Sequence, residues 1–439
     1  MSARNRELLA LIPASLLVTA GFAAIFIQRS ETLSDVSLTY GAIFLALCVG
    51  AHLVIRLTLP HADPYLFPLV AVLACFGVVV IYRLDETLAR EQAQWFVFGL
   101  ALFAATIIGL RRDFRVLEQY RYTIAAVSLL LLALPRVPGI GQQVNGAYLG
   151  VALGPISFQP AEFAKIGIVV FLAAYLREHR DVLILGSRRL LGLTIPPLKH
   201  FGPLLVIWGL SMLMLVFIRD LGSSLMFFGG FLAVLYVATN RFGFVVVGMA
   251  LFALGAYFFA STVPHVQDRV DIWLDPFARD RVDGSGYQIA QSLFAQADGG
   301  LFGTGFGQAI ITIPCEAKAA GCSILPAPHT DLIYAVIVDE LGLAGATGLI
   351  LVYLLLAARG FKTAMIARDS FSTLLAAGLT AVLALQVFVI VGGVTRVIPL
   401  TGVTLPFVSY GGSSILANFV LLALLLLVSD RARREAVSR

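Results

Sequence analysis

The chain has 439 residues, 59% of them hydrophobic and 13% charged, with a mean hydropathy of +0.91, far from the balance of soluble domains. That composition excludes a soluble globular enzyme, and the formal net charge of +5 matches anionic lipid head groups without supporting any nucleic-acid partner. Apolar runs near the ~20 residues a bilayer requires fall at about 8–27, 40–58, 65–82, 93–110, 122–137, 158–176, 203–218, 221–238, 243–262, 331–358, 371–395 and 407–429. The expected fold is all-α: a polytopic membrane protein of about twelve transmembrane helices with one long external loop, residues 263–330. The first run is too long, and too poorly followed by small residues, for a removable signal peptide.

Lys and Arg set the expected orientation. With the N-terminus inside, the inner segments collect Arg111, Arg112 and Arg115, then Arg177, Arg180, Arg188 and Arg189, and finally Arg431, Arg433 and Arg434. They hold about twice the Lys and Arg of the outer segments. Both termini are therefore expected in the cytoplasm and the segment 263–330 outside. Cys315 and Cys322 lie in that segment with six residues between them, as a disulfide closing a small loop or as two free thiols.

Residues 1–60 read as an accessory N-terminal helix pair with no buried ionisable group beyond His52. A polar hinge, His61-Ala-Asp-Pro, opens the main body, residues 61–439. The glycine-rich loop 135–157 leads into Phe158-Gln-Pro-Ala-Glu-Phe-Ala-Lys, where Pro160 suits a first helical turn. Glu162 and Lys165, three residues apart, share one face of that helix. Ionisable residues inside an apolar span are costly and usually face a cavity, so the pair is a candidate site. A buried structural ion pair is the alternative. Asp220, in Arg219-Asp-Leu-Gly-Ser-Ser, is either a helix cap or a second carboxylate on the same side of the membrane.

The stretch 284–307 is rich in glycine but is no Walker A loop, because no Gly-Lys-Ser/Thr follows and no strand precedes it. It reads as a re-entrant or surface loop around a short surface helix at 287–297, with Ile289, Leu293 and Phe294 on its apolar face. The polar segment ends at Pro328-His-Thr-Asp, placing Asp331 at the boundary of water and lipid beside His329 and Thr330. A carboxylate there could take a proton from a sugar hydroxyl of a lipid-anchored substrate. Simple capping of the following helix is the competing reading. Asp339 and Glu340 follow ~12 Å further along the helix and must face a hydrated cavity or be partly protonated. Arg396 adds a cation on the same side, suited to a pyrophosphate, and the small residues at 409–414 permit close helix packing.

Five separated pieces carry a resemblance to a known family: Phe158-Gln-Pro-Ala-Glu-Phe-Ala-Lys; Asp220-Leu-Gly-Ser-Ser; Gly286-Tyr-Gln-Ile-Ala-Gln-Ser with Gly299-Gly-Leu-Phe-Gly; Pro328-His-Thr-Asp-Leu-Ile-Tyr with Asp339-Glu-Leu-Gly; and Pro399-Leu-Thr-Gly-Val-Thr-Leu-Pro-Phe-Val-Ser-Tyr-Gly-Gly-Ser-Ser. Together, over about residues 64–429, they resemble the bacterial shape, elongation, division and sporulation (SEDS) family, and its elongation branch more than its division branch. The resemblance implies a ten-helix core preceded here by two extra helices, and a peptidoglycan glycosyltransferase that polymerises lipid II at the outer face of the bacterial cytoplasmic membrane. It implies a class B penicillin-binding protein as transpeptidase partner, with lipid II, undecaprenyl-linked glycan and membrane lipid as its other contacts.

The family's essential Asp falls on Asp331, implied as the base that activates the acceptor sugar. Glu162, Lys165 and Asp220 fall on the family's charged positions, and His329, Thr330, Arg396, Ser409 and Tyr410 join them as expected substrate contacts. No cofactor is implied, although a divalent cation, Mg or Mn, could accompany the diphosphate. The chain departs from the family where Gly146-Ala147 is followed by Tyr148, Leu149 and Gly150 instead of Arg-Trp, where Arg396 replaces a common Gly, and where Ile390 replaces a common Asn. Two other classes compete: a lipid II flippase, for which intramembrane charges also serve, and a non-catalytic scaffold in which buried charges are only structural.

Overall fold

A bilayer leaves backbone N–H and C=O groups no water to bond, so long apolar stretches satisfy themselves as helices. The computed structural model describes residues 3–28, 35–144, 147–153, 156–185, 188–190, 193–195, 209, 220–315 and 318–437. In chain order its helices are α1 (Ala3–Ala10), α2 (Ile12–Gln28), α3 (Asp35–Thr58), α4 (Leu66–Leu84), α5 (Glu86–Leu110), α6 (Val116–Gln119), α7 (Arg121–Ala133), α8 (Pro160–Leu185), α9 (Leu221–Thr239), α10 (Phe242–Thr262), α11 (Pro264–Leu274), α12 (Tyr287–Gly299), α13 (Ile333–Ile366), α14 (Ser370–Val394) and α15 (Gly412–Val437).

Among the described residues nine helical spans are long and apolar enough to cross a membrane, the first running through α1 and α2 as Ala3–Ile27. The apolar run at 122–137 is shorter as a helix than its sequence suggests, because Pro135 turns the chain into a 3₁₀ turn at Leu134–Arg136. The run at 158–176 lies in α8. The run at 203–218 lies outside the described residues.

Among the described residues three small antiparallel sheets interrupt the helical pattern. The first, β1 (Gly141–Val144), β2 (Ala147–Leu153) and β3 (Ile156–Phe158), occupies the stretch read from sequence as a glycine-rich loop. Alternation in Tyr148-Leu-Gly-Val supports strand pairing here, with Val151 opposite both Gly141 and Phe158. Tyr148, at the place where the family carries Arg-Trp, lies under the Arg136 guanidinium at 4.2 Å from the ring centre. The second sheet is β4 (Arg188–Leu190) with β5 (Leu193–Ile195), and the third is β6 (Thr312–Cys315) with β7 (Lys318–Ser323). Cys322 sits opposite Ile313 in that ladder and Cys315 opposite Lys318; the cysteine side chains lie outside the described residues.

Helices α2 and α3 pack on α4 and α5 and contribute to one continuous hydrophobic core with the main body. This end of the molecule holds more buried charge than His52 alone. Glu7 is fully buried and 2.9 Å from His52 Nδ1, with Arg4 paired to it and bonded to the Ala62 carbonyl. The cause is the hinge: residues 61–65 fold over the start of α1 and bury its polar turn. In that hinge Asp63 accepts ion pairs from Arg359 (2.5 Å) and from Arg433, while the His61 N–H donates to Asp430. One carboxylate thus ties the hinge to α13 and α15.

Candidate active site

The polar end of the molecule is organised around a break in α13. Gly342 takes φ +65, a left-handed conformation that costs a β-carbon dearly, and the helix restarts beyond it. Residues 299–307 dock into this break: the Gly305 N–H donates to the Glu340 carbonyl, the Thr304 N–H to the Asp339 carbonyl, and Leu343 N–H back to Gly300. A β-carbon on Gly303 would stand 2.2 Å from the Glu340 carbonyl oxygen, so the glycines of this stretch serve backbone-to-backbone contact. Helix α12 is correspondingly docked on α13, with Ile289, Ala290, Ser292 and Gly299 buried and Phe294 exposed. Of the expected apolar face, Ile289 is buried, Leu293 half-buried and Phe294 exposed. The two acids at the break are both engaged. Glu340 lies 2.6 Å from Arg83 Nε, and Asp339 accepts from Thr304 Oγ1 at 3.2 Å while lining a separate cavity with Asp298.

Asp331 is treated differently. Helix α13 begins at Ile333 with Leu332 as its N-cap residue and no side-chain capping bond, so neither Thr330 nor Asp331 is spent on capping. Asp331 instead lines a cavity of about 660 Å³ together with Asp220, Arg269, Thr330, Leu149, Thr401, Gly402 and Thr404. Its turn is pinned: Ala327 adopts φ +46, the Thr330 and Leu332 N–H groups both donate to the Ala327 carbonyl, and Ser409 Oγ donates to the Thr330 carbonyl at 2.8 Å. Gly402 takes φ +71, and a β-carbon there would stand 3.6 Å from Asp331 Oδ2.

Asp331 makes no ion pair within 4 Å among the described residues. Burial pushes its carboxyl up to about 6, against the opposing pull of the Arg269 charge and a hydrogen bond from Thr330, with Asp220 adding a smaller upward push. Asp220 is raised by burial as well, despite bonds from Ser223 N (3.0 Å) and Ser223 Oγ (2.5 Å) by which it caps α9. Arg269 Nη1 donates to the Leu400 carbonyl at 2.9 Å, which holds its guanidinium at the cavity wall between the two acids.

The other expected contacts fall around this cavity in three ways. Ser409 and Tyr410 brace the turn that carries Asp331: Tyr410 N–H donates to the His329 carbonyl at 2.8 Å, its hydroxyl reaches Glu91, and Gln92 donates to the Ser409 carbonyl. His329 packs edge-on against the Tyr410 ring, and burial lowers its pKa, so it is neutral near pH 7. Glu162 and Lys165 form a buried pair at 2.6 Å behind the cavity wall. Arg396 is turned away from the cavity; its guanidinium bonds the carbonyls of Trp273 and Leu274 at the end of α11, and Trp273 Nε1 donates back to the Arg396 carbonyl.

Arg269 was not singled out by the sequence. The available signal was its spacing to Trp273, four residues on along α11, which places both on one face, and both side chains reach the 396–400 segment.

A multi-pass membrane protein with a half-buried carboxylate at a cavity, in no ion pair among the described residues, defines the class. The cell cycle protein family of FtsW, RodA and SpoVE matches the chain over residues 64–434. The peptidoglycan glycosyltransferase RodA of Mycobacterium tuberculosis is 42% identical over 99% of this chain and 92% of its own, and that of Mycobacterium leprae is 41% identical with the same coverage. A probable peptidoglycan glycosyltransferase FtsW from Geobacter metallireducens is 32% identical over 82% of the chain and 92% of its own. Among solved structures, a chain from work on the coordination of polymerization and crosslinking by a peptidoglycan synthase complex aligns with TM-score 0.67 and 28% identity, covering 84% of this chain and 98% of its own. The rod shape determining protein RodA of Thermus thermophilus aligns with TM-score 0.59 and 27% identity, covering 84% and 96%. The chain belongs to the FtsW, RodA and SpoVE family.

Proposed function

We propose that the protein is a peptidoglycan glycosyltransferase of the elongation branch, polymerising lipid II for cell-wall growth and cell shape, with Asp331 as general base. The single observation carrying the mechanism is that Asp331 stands in a cavity with its carboxylate, among the described residues, neither capping a helix nor ion-paired. A carboxyl raised to about 6 is mostly ionised at neutral pH yet basic enough to take a proton, which suits general base catalysis. In the proposed step the acceptor 4-hydroxyl gives its proton to Asp331 as its oxygen attacks the donor's anomeric carbon, and the bond to undecaprenyl diphosphate breaks. The leaving diphosphate carries its own negative charge away, so no acid is required once that charge is met. Arg269 is the cation at the wall that meets it, while Asp220, Thr330 and Thr401 supply polar contacts.

A divalent cation, Mg or Mn, would add to Arg269 when it arrives with the diphosphate; among the described residues no group of three His, Cys, Asp or Glu side chains is gathered to hold one beforehand. Every segment contributing to the cavity belongs to the side that the Lys and Arg distribution assigns to the outside, which supports cytoplasmic termini and an outward-facing site. The partner is a class B penicillin-binding protein, which would cross-link the glycan as it forms. The test is polymerisation of purified lipid II by the detergent-solubilised protein with and without such a partner. Glycan ladders support the reading, whereas absence of polymer under every partner condition, together with lipid II transfer across liposomes, overturns it in favour of a flippase.

A further inference from the structure

The pair Glu162 and Lys165 poses a problem for any direct role in binding sugar or diphosphate, because both side chains are almost fully buried and neither lines the cavity. A third buried residue resolves it. Gln386, in the interior of α14 and fully buried, accepts from Lys165 Nζ through Oε1 at 2.7 Å and donates through Nε2 to the Thr404 carbonyl at 2.9 Å. Thr404 lines the cavity together with Asp331 and, two residues before it, Gly402, where a β-carbon would stand 3.6 Å from Asp331 Oδ2.

The relay runs in one direction only. Lys165 can only donate and the Thr404 carbonyl can only accept, so the amide between them must present its oxygen to the first and its nitrogen to the second. Its oxygen on a cation makes its N–H a stronger donor. The segment 400–405 is otherwise held from α11, by Arg269 on the Leu400 carbonyl, and from within its own loop, by the Leu405 N–H on Ser409 Oγ.

We propose that Gln386 is a positioning residue for the transferase reaction: with the Glu162–Lys165 pair as its anchor, it holds the Thr404 carbonyl and thereby the 401–404 wall against Asp331. This rests on the glycosyltransferase reading of the cavity. Glu162 and Lys165 then act through Gln386 and not on substrate. Their place in the family motif reflects the need for a fixed cation deep behind the wall.

The test uses the full-length protein with its penicillin-binding partner and compares wild type, Gln386→Met and Gln386→Glu. Gln386→Met removes both bonds at similar volume. Gln386→Glu keeps an acceptor for Lys165 but, when ionised, has no donor for the Thr404 carbonyl; protonation of the introduced carboxyl supplies an O–H there. The titratable groups on the helices packed against α14 include Glu162, Lys165, Tyr175 and His179 on α8, Asp220 at the head of α9 and Tyr236 along it, Tyr334, Asp339, Glu340, Tyr353, Arg359 and Lys362 on α13, and Asp430, Arg431, Arg433, Arg434 and Glu435 on α15; α12 meets the helix at Val394. These groups are common to all three proteins, so the readout is the ratio of each variant's rate to wild type at the same pH.

Both variants are expected to lower kcat tenfold or more at pH 7.5 with KM changed less than threefold. The Gln386→Glu ratio is expected to climb at least threefold between pH 7.5 and pH 5.5 while the Gln386→Met ratio stays flat. A flat Gln386→Glu ratio, or near-wild-type kcat in Gln386→Met, overturns the relay. If wild type makes no glycan at all, it is the glycosyltransferase reading that has failed. Should Gln386→Met not fold, Gln386→Glu and its pH ratio alone decide.

Discussion

Carboxylates sit at both ends of one short stretch, residues 331–340, half-buried at Asp331 and buried at Asp339 and Glu340, and they are handled in opposite ways. At the α13 break Glu340 meets Arg83 and Asp339 meets Thr304, so the acids there do structural work: they receive the docked glycine loop and fix the restart of the helix. At the cavity Asp331 has a guanidinium nearby and no direct ion pair among the described residues, and burial leaves its carboxyl at about 6. A buried charge that is paired holds a fold together; one left unpaired at a cavity costs stability that only function can justify. Removing the charge should therefore have opposite consequences at the two ends.

The largest effect is expected from Asp331→Asn. Loss of a general base typically removes about 10²–10⁴-fold in rate, and polymerisation of lipid II by the purified variant should fall at least that far. Its thermal stability should stay level or rise. The sign follows from linkage: the folded-state carboxyl lies above its unfolded value, so its contribution is favourable at low pH and is lost as pH rises through about 6. At neutral pH the ionised group is a burden that the amide removes. A melting temperature well below wild type would break the contrast.

Next comes Arg83→Met, which leaves Glu340 buried beside no cation. Breaking such a pair costs about 3–5 kcal/mol, to be read as a fall in thermal or denaturant stability, while the rate per folded molecule changes little. A variant as stable as wild type would show that the α13 break is not held by this pair.

Gly303→Ala should cost somewhat less. It places a methyl 2.2 Å from the Glu340 carbonyl at φ +84, and strain of that kind is worth about 1–3 kcal/mol; the expected signature is faster proteolysis within 299–307. The smallest effect is expected from Arg396→Gln. Its guanidinium holds α11 and does not reach the cavity, so KM for lipid II should shift less than about threefold, roughly within 0.7 kcal/mol. A larger shift, matching that of Arg269→Gln, would restore Arg396 as a diphosphate contact.

What could be read from the sequence divides along the same line. The helices were legible because lipid imposes one solution on an apolar run; the place of Asp331 at the end of a long polar segment was legible too, but it left capping open until the helix start at Ile333 and the cavity were seen. Local competition hid other features. Pro135 ended a helix that hydropathy alone extends to 137, and Tyr148-Leu-Gly-Val paired into a sheet because the antiparallel partner strands lay within a dozen residues on either side. The residues that complete the site depend on contacts far apart in the chain. Arg269 shares its polar segment with Arg279 and Arg281, and beyond its spacing to Trp273 it is the approach of Leu400 that separates it from them. The glycines at 299–307 looked like a re-entrant or surface loop because the surface they match, the break at Gly342, is supplied by another helix.

The most direct measurement is the pH dependence of single-turnover lipid II polymerisation between pH 5 and pH 8, for wild type and Arg269→Gln. A base at Asp331 predicts a wild-type rate that falls below an apparent pKa near 6. In Arg269→Gln that limb should move to higher pH, because the charge that favours the ionised carboxylate is gone. A rate that is flat across this range, or a limb unmoved by the loss of Arg269, would contradict the assignment of Asp331 as the base.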